Sequence, residues 1–136
     1  MNYYEDYNIR YEKNIPSIEL EKLFSSVNWE SAKNPELLHQ AFLNSSNCIT
    51  MWHSNHLIGV IRSMDDGCWS ANIDCLVVHS SYQHHGIGHS LVKALMNRLK
   101  NVKYINVSPD CKENVKIYTD FGFKETGGCS LQYVTS

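Results

Sequence analysis

The sequence predicts a mixed α/β (α+β) fold, with a mostly antiparallel sheet of six to seven strands flanked by about four helices. Three observations favour this fold. Short apolar segments bounded by turn residues fill the middle of the chain, and apolar residues recur at helical spacing on either side of them. One strand–helix–strand succession, from Ala71 to Val107, requires a parallel pair with a crossover helix. The length of 136 residues accommodates one domain, which we expect to span residues 1–136.

The first half of the chain predicts a strand, two helices and two further strands. Residues 7–13 alternate in hydrophobicity as a strand does. Pro16 and Ser17 begin a helix with one apolar face, and Asn34 before Pro35 predicts the start of a second helix. The apolar segments CITMW (48–52) and LIGVIR (57–62), separated by polar residues, predict two antiparallel strands.

The second half predicts the crossover and the end of the sheet. After the turn DDG (65–67), ANIDCLVVH (71–79) predicts a long strand, and apolar positions from Ile87 to Leu99 predict a helix that leads to the strand YINV (104–107). The segment ENVKIYTDFG predicts a last helix that ends at Gly122, because glycine commonly terminates helices. The remaining residues, FKETGGCSLQYVT, predict one or two strands around a Gly-Gly turn.

Composition excludes several classes of function. The formal net charge of -2 does not fit a general nucleic-acid-binding surface, and no apolar run approaches the roughly 18 to 20 residues of a membrane span. The polar N-terminal segment lacks the pattern of a signal peptide, so we expect a cytoplasmic protein. The five cysteines contain neither a CxxC pair nor an even set, so we expect reduced thiols.

The stretch QHHGIGHS (83–90) stands where the long strand gives way to the helix. Gly86 and Gly88 tolerate backbone angles that other residues avoid, and the first amides of a helix attract an anion. One interpretation is a phosphate or pyrophosphate site, and the other is a tight strand-to-helix connection. A dinucleotide-binding loop would need a third glycine at Leu91, and a P-loop would need Gly-Lys-Ser/Thr, so both are excluded.

The histidines around these glycines raise the question of a metal site. His85 and His89 are four residues apart and would share a helix face. No carboxylate or cysteine lies close in sequence to complete a set of ligands. We therefore expect no metal.

The pattern Gln-x-x-Gly-x-Gly after a long strand resembles the acyl-CoA-binding motif of the GNAT superfamily of N-acetyltransferases. VVHSSYQHHGIGHSLV is similar to the strand, loop and helix of that family, and IYTDFGFKE is similar to its later helix with the Tyr-x-x-x-Gly-Phe signature (Tyr118, Gly122, Phe123). The resemblance covers nearly the whole chain and implies a GNAT fold. Trp29, AFLNSS, LIGVIRSMDDG and the long strand are together most similar to small bacterial and plastid enzymes that acetylate amines, including arylalkylamine-type acceptors.

This resemblance implies acetyl-CoA as the cosubstrate. The backbone of the long strand is then expected to pair with the pantetheine arm, and the amides of the glycine loop are expected to wrap the pyrophosphate. Relatives often carry Arg or Lys between the glutamine and the first glycine, where this chain has His84 and His85. The expected cofactor-binding residues are Leu76, Val77, Val78, Gln83, His84, His85, Gly86, Ile87, Gly88, His89 and Asn114.

Amine acetylation also needs a neutral nucleophile. At pH 7 an alkylammonium with a pKa near 10.4 is deprotonated only about once in several thousand molecules, so a base is required. Asp74 is the candidate, because a carboxylate in an apolar strand needs an explanation and because arylalkylamine-type relatives place a catalytic histidine here. The alternative is that Asp74 only pairs with a neighbouring cation. Many relatives have an acidic residue where Cys75 stands, and a one-residue displacement would turn the carboxylate to the other face of the sheet.

Two further catalytic groups follow from the resemblance. Tyr118 resembles the family tyrosine that returns a proton to the leaving thiolate, although packing on an amphipathic helix is the alternative. In the family, the strands that carry Val78 and Val107 splay apart. We expect this splay to free the amide of Val77 as a donor to the carbonyl oxygen.

The acceptor side is predicted from three positions. Trp29, Arg62 and Asp65 match positions near the acceptor in the related enzymes. An arginine suits an acceptor carboxylate and an aspartate suits an ammonium group. Alternatively, Arg62 and Asp65 only pair with each other across a turn.

The resulting expectation is a transfer of an acetyl group from acetyl-CoA to a primary amine of a small molecule (amino acid, polyamine or arylalkylamine) by direct attack in a ternary complex. The alternatives are a protein or peptide N-acetyltransferase and a catalytically inactive CoA-binding sensor module. No nucleic acid or membrane partner is expected. The resemblance also leaves open a homodimer through the segment CSLQYVT (129–135).

Overall fold

A five-stranded mixed sheet forms the centre of the computed structural model, which describes residues 6–128 and 130–135. The first four strands pair antiparallel in chain order, and the fifth runs parallel to the fourth, so the predicted mixed sheet with one parallel crossover is confirmed. The strands are β1 (Tyr7–Arg10), β2 (Asn47–His53), β3 (His56–Asp65), β4 (Ser70–Val78) and β5 (Tyr104–Val107).

Four α-helices in the described residues flank this sheet, as predicted. Helices α1 (Ser17–Ser26) and α2 (Pro35–Leu43) lie between β1 and β2 in sequence, with a short 3₁₀ helix, Glu30–Lys33, between them. Helix α3 (Ile87–Arg98) crosses from β4 to β5, and α4 (Lys112–Asp120) follows β5. Within the described ranges, no helix has the length and apolar character needed to cross a membrane.

Apolar residues fill both faces of the sheet. Helices α3 and α4 cover one face, where Leu91, Leu95 and Tyr118 pack with Ile73 and Leu76 of β4. Helices α1 and α2 cover part of the other face, where their buried residues pack with β2, β3 and the upper end of β4. The rest of that second face carries exposed side chains from the C-terminal end of β3, the first half of β4 and β5. These are Met64, Asn72, Asp74, Tyr104 and Asn106.

The predicted strands after α4 are the main correction to the expected fold. Residues 123–128 and 130–135 form no strand, so the count of six to seven strands is not confirmed, and five strands form among the described residues. Leu131, Tyr133 and Val134 are exposed rather than packed on a sheet. The alternating pattern of this segment was a local signal, whereas a strand is stabilised mainly by its pairing partner and by burial.

The core of the α3 layer gives a direct test of the fold. Leu95 is fully buried on α3, whereas Leu37 on α2 is 70% exposed. We expect Leu95→Ala to lower the free energy of unfolding by about 2–5 kcal/mol, because it leaves a cavity. The matched change Leu37→Ala is expected to cost less than about 0.5 kcal/mol. Urea denaturation followed by circular dichroism measures both, and similar losses in the two variants would contradict this packing.

Candidate active site

Gly86 in the glycine loop adopts a backbone angle that most other residues avoid. Gly86 has φ of 82°, in the left-handed region, and immediately precedes α3. His84 also has a positive φ, 68°, which is uncommon for a residue with a side chain. The Gln83 side chain donates from Nε2 to the Val78 carbonyl over 3.1 Å, and so ties the loop to the end of β4. The first amides of α3 therefore point away from the helix with no intrahelical acceptor.

Gly88 serves a different purpose, because its φ is not in the left-handed region. A Cβ at this position would lie 2.8 Å from Cδ1 of Ile117 on α4. The missing side chain lets the first turn of α3 approach α4 closely. Gly88 and Ile117 both line the cleft between the two helices.

The backbones of β4 and β5 separate along the rest of β4. Their pairing ends at Ile73 with Val107, although β4 continues to Val78. β5 itself ends at Val107, and no residue of β5 pairs with β4 beyond Ile73. The edge of β4 beyond Ile73 is consequently open on the side of β5. Asn114 on α4 spans part of the gap and donates from Nδ2 to the Leu76 carbonyl over 3.3 Å.

The open edge of β4 presents the backbone groups of Leu76 and Val78. The His79 amide donates to the Ile58 carbonyl over 2.8 Å, towards β3. Because backbone groups alternate in direction along a strand, Val77 also turns its amide towards β3, whereas Leu76 and Val78 turn theirs to the open side. The expectation that the Val77 amide is a free donor is therefore wrong.

A β-bulge at Cys75 decides which way the Asp74 side chain faces. The register runs from Val60↔Val77 to Arg62↔Asp74, so two residues of β4 lie opposite one residue of β3. Cys75 has φ of 55°, the left-handed conformation that a bulge of this kind requires. As a result, Asp74 and Cys75 both lie on the α1–α2 side of the sheet, and the displacement by one position does not bury the carboxylate against α3.

Asp74 is half-exposed and paired with Arg62. One carboxylate oxygen accepts from Nη2 of Arg62 over 2.6 Å, and the other accepts from the Cys75 amide over 2.9 Å. The Arg62 side chain is only 16% exposed and lies over the Phe42 ring. The predicted alternative, an Asp74 carboxylate that pairs with a cation, is thus present, and its exposed half still faces the open part of the sheet.

Asp65 lies elsewhere, and it does not pair with Arg62. Its carboxylate accepts from Nδ2 of Asn47 over 3.1 Å, and its amide donates to the Ser46 hydroxyl. These contacts fasten the end of β3 to the start of β2. The structure does not bring Asp65 together with the other predicted acceptor residues.

Tyr118 of α4 lies in the core on the α3 side of the sheet. It is 3% exposed and packs edge-on against Phe123, with ring centroids 5.4 Å apart. Burial is the main cause that raises the pKa of the Tyr118 hydroxyl well above its usual value, and the charges of Asp110 and Asp74 add to the effect. The phenol therefore stays protonated in the neutral pH range, and both carboxylates lie within electrostatic reach of it.

Three residues near Asp74 were missed by the sequence argument. Partial burial and then the charge of Asp74 raise the pKa of the Asp110 carboxyl, so the two carboxylates lie near each other. Asn72 of β4 and Asn106 of β5 are register partners with exposed side chains on the same face. Only the exposed polar residues at every second position of β4 signalled this face in the sequence.

A cavity of about 660 Å³ occupies the gap between β4, the glycine loop and α4. Most of the predicted cofactor residues meet there, while His85, Asp74 and Tyr118 are not among the lining residues. Trp29 lines the cavity too, and the left-handed Asn28 (φ 59°) turns the chain so that it does. The lining includes Leu76, Val77, Val78, Gln83, His84, Gly86, Ile87, Gly88, His89 and Asn114 of the predicted set, with Cys111, Lys112 and Lys116 in addition.

The side chains that bind metals do not converge in the described part of the chain. No group of three or more His, Cys, Asp or Glu side chains there is arranged to hold an ion. His89 instead lies beside Asp120 on α4.

Residues 12–132 match the acetyltransferase (GNAT) domain family, and the chain belongs to that family. It is 28% identical over 126 residues to the uncharacterized N-acetyltransferase ycf52 of Pyropia yezoensis, a match that covers 88% of this chain and 71% of that protein. The protein of the same name from Porphyra purpurea is 29% identical over 117 residues, which cover 82% of this chain and 66% of that one. The chain is therefore an acyltransferase.

Solved structures share the fold at low identity. A GNAT family acetyltransferase from Streptococcus pneumoniae superposes with a TM-score of 0.78 at 24% identity, covering 95% of this chain and 98% of that chain. Glucosamine-6-phosphate N-acetyltransferase from Arabidopsis thaliana superposes with a TM-score of 0.70 at 15% identity, covering 95% and 99% of the two chains. At these identities the likeness describes the fold.

Acetyltransferases of this family use acetyl-CoA, and the residues of the cavity fit that molecule. The open edge of β4 offers backbone groups to the amides of a pantetheine arm, and the left-handed Gly86 exposes the helix amides to phosphate. Val27, Val78 and Ile117 give the cavity apolar walls, which suit the methylene chain.

The thiols give a test of this geometry. Burial raises the pKa of Cys48 and of Cys75 to about 12, whereas Cys68 and Cys111 are exposed. Because the thiolate is the reactive form, we expect Cys68 and Cys111 to be alkylated at about pH 8 at least about 100-fold faster than the buried pair. Peptide mass spectrometry after timed iodoacetamide treatment measures each site. Similar rates before denaturation would contradict the assigned burial.

Proposed function

We propose that this chain transfers an acetyl group from acetyl-CoA to a primary amine of a small cationic molecule. The observation that carries this proposal is the open edge of β4, which runs from the glycine loop to the half-exposed carboxylate of Asp74. The cosubstrate would lie along this edge with its thioester at the Asp74 end. The acceptor would then approach over the exposed face of β3, β4 and β5.

The cofactor would be held mainly by backbone groups. Leu76 and Val78 would pair with the pantetheine arm, which would take the place of the Asn114 amide at the Leu76 carbonyl. The loop amides before α3 would bind the pyrophosphate. His85 would take part through its backbone amide rather than through its side chain. Bound acetyl-CoA supplies the activated acetyl group.

The charges near Asp74 favour an acceptor without a carboxylate. The Arg62 guanidinium is already occupied by Asp74, so it has little to offer an acceptor carboxylate. Asp110 adds a second negative charge nearby. Among the predicted acceptor classes, a polyamine or an arylalkylamine is therefore favoured over an amino acid. The ring of Trp29 would pack against the acceptor beside the cavity.

Several proton transfers would accompany the reaction. The ammonium group of the acceptor must lose a proton before attack, and the exposed side of the Asp74 carboxylate would accept it, directly or through water. Arg62 would hold that carboxylate in place. After the amine nitrogen attacks the acetyl carbon, the nitrogen loses its second proton to water and the carbon–sulfur bond breaks. The Tyr118 hydroxyl would give its proton to the leaving thiolate and would be reprotonated from solvent. Neither step needs a covalent acyl-enzyme.

The proposal predicts a separation of binding from catalysis in Asp74→Asn. We expect kcat/KM for the best amine to fall by about 10²- to 10³-fold, because the base is lost, while the affinity for acetyl-CoA stays the same. Thiol release from acetyl-CoA with a panel of polyamines, arylalkylamines, amino acids and peptides measures the rate. Glu36→Gln removes an exposed carboxylate on α2 and is the matched control. Binding without turnover on any amine in wild type would favour the sensor alternative.

Tyr118→Phe tests the proton donor. We expect kcat to fall by about 10- to 100-fold with acetyl-CoA affinity unchanged. Because burial raises the Tyr118 pKa, its phenol stays protonated as the pH rises, so wild-type kcat should show no loss from its ionisation between about pH 8 and about pH 10. A loss of wild-type kcat in that window that disappears in Tyr118→Phe would contradict the assignment.

The homodimer also stays a proposal. Residues 130–135 are exposed and lie outside the sheet, and Cys129 lies outside the described residues. Exposed Leu131, Tyr133 and Val134 in that segment would suit burial against a second copy. Sedimentation of the full chain and of a chain that ends at residue 128 would test this assembly.

A further inference from the structure

One carboxylate contacts two basic side chains that line the cavity. Asp120, at the end of α4, lies with Oδ2 3.0 Å from Nε2 of His89 and with Oδ1 3.4 Å from Nζ of Lys116. His89 belongs to the first turn of α3, so this carboxylate joins the two helices that border the cleft. The His89 ring also packs near Phe121, with centroids 6.1 Å apart.

The two basic residues border the cavity, and the acidic residue does not. His89 and Lys116 both line the cavity, whereas Asp120 is not among its lining residues. The hydrogen bond from His89 is the main cause that lowers the pKa of the Asp120 carboxyl, and Lys116 lowers it further. The carboxylate is therefore charged across the neutral range and keeps the two basic groups in place.

A ligand with phosphate groups would need cations at this position. The loop from Gln83 to Gly88 carries no Arg or Lys, and its own titratable side chains are His84 and His85. From α4, Lys112 and Glu113 also face the cavity, and their formal charges cancel. Lys116 and His89 are thus the main basic pair that faces the loop amides from the two sides of the cleft.

We propose that His89, Lys116 and Asp120 form a phosphate clamp for the CoA moiety, in which Asp120 is a positioning residue. The clamp rests on the proposed function, because acetyl-CoA is its ligand. His89 and Lys116 would contact phosphate oxygens directly, and Asp120 would act only through them. The clamp would supply the basic side-chain donor, Lys116, that the loop lacks between Gln83 and Gly86.

A positioning role for Asp120 and simple charge repulsion predict opposite changes in CoA affinity when Asp120 is removed. If Asp120 were only an anion near the phosphates, its removal would strengthen CoA binding. If it positions the two side chains that contact phosphate, its removal frees both side chains to move and weakens binding. The sign of the change in affinity therefore separates the two accounts.

The test is the dissociation constant of CoA for Asp120→Asn, measured by isothermal titration calorimetry at about pH 7 and low salt. We expect affinity about three- to tenfold weaker than wild type, as for loss of exposed charge-assisted contacts. Glu36→Gln, which removes the same formal charge on α2, should bind as wild type does. Equal or tighter binding by Asp120→Asn would overturn the clamp.

A double-mutant cycle tests whether Asp120 acts through its two partners. In a His89→Gln, Lys116→Gln background we expect Asp120→Asn to have no further weakening effect. Continued weakening in that background would overturn the positioning role. Circular dichroism melting of each variant checks that these exposed changes leave the fold intact. If the wild-type protein itself fails to bind CoA, the proposed function fails. If the wild-type protein binds CoA and Asp120→Asn binds it with the same affinity, only the clamp is refuted.

Discussion

The parting of β4 from β5 is the constraint on which the site depends. Pairing stops at Ile73 and Val107, although β4 continues to Val78. Backbone N–H and C=O groups on the edge of a sheet need a hydrogen-bond partner, either another group or water. The protein uses side-chain amides of Asn114 and Gln83 on two of the β4 carbonyls. A polar ligand with its own amides can replace them.

The bulge at Cys75 divides β4 into two parts whose side chains and backbone groups face different ways. Below the bulge, Asp74 faces the open side of the sheet, and above it, Leu76 and Val78 turn their backbone towards the cleft. A regular strand would send Asp74 and Val78 to the same face, and it would turn the backbone of Leu76 in the same direction as that of Asp74. The extra residue therefore brings the Asp74 carboxylate close to the open backbone edge at Leu76 and Val78. The left-handed backbone of Cys75 is the local cost of that arrangement.

Helical periodicity and glycine chemistry carried most of the prediction from sequence. The order of the first strands and all four helices followed from local patterns, and Gly86 marked the start of α3. Pairings between distant segments did not follow. Arg62 meets Asp74 only because β3 and β4 pair in a particular register, and Asp120 meets His89 only because two helices pack. No local signal distinguishes a cysteine in a left-handed bulge from one in a regular strand.

Backbone exchange in solution tests the central claim most directly, that acetyl-CoA occupies the open edge of β4. Amide hydrogen exchange by NMR, with and without acetyl-CoA, reports on each residue of this strand. The account predicts that the amides of Leu76 and Val78 exchange at least about tenfold more slowly with acetyl-CoA, while the Val77 amide, already paired with β3, changes little. Unchanged exchange at Leu76 and Val78 under saturating acetyl-CoA would contradict it.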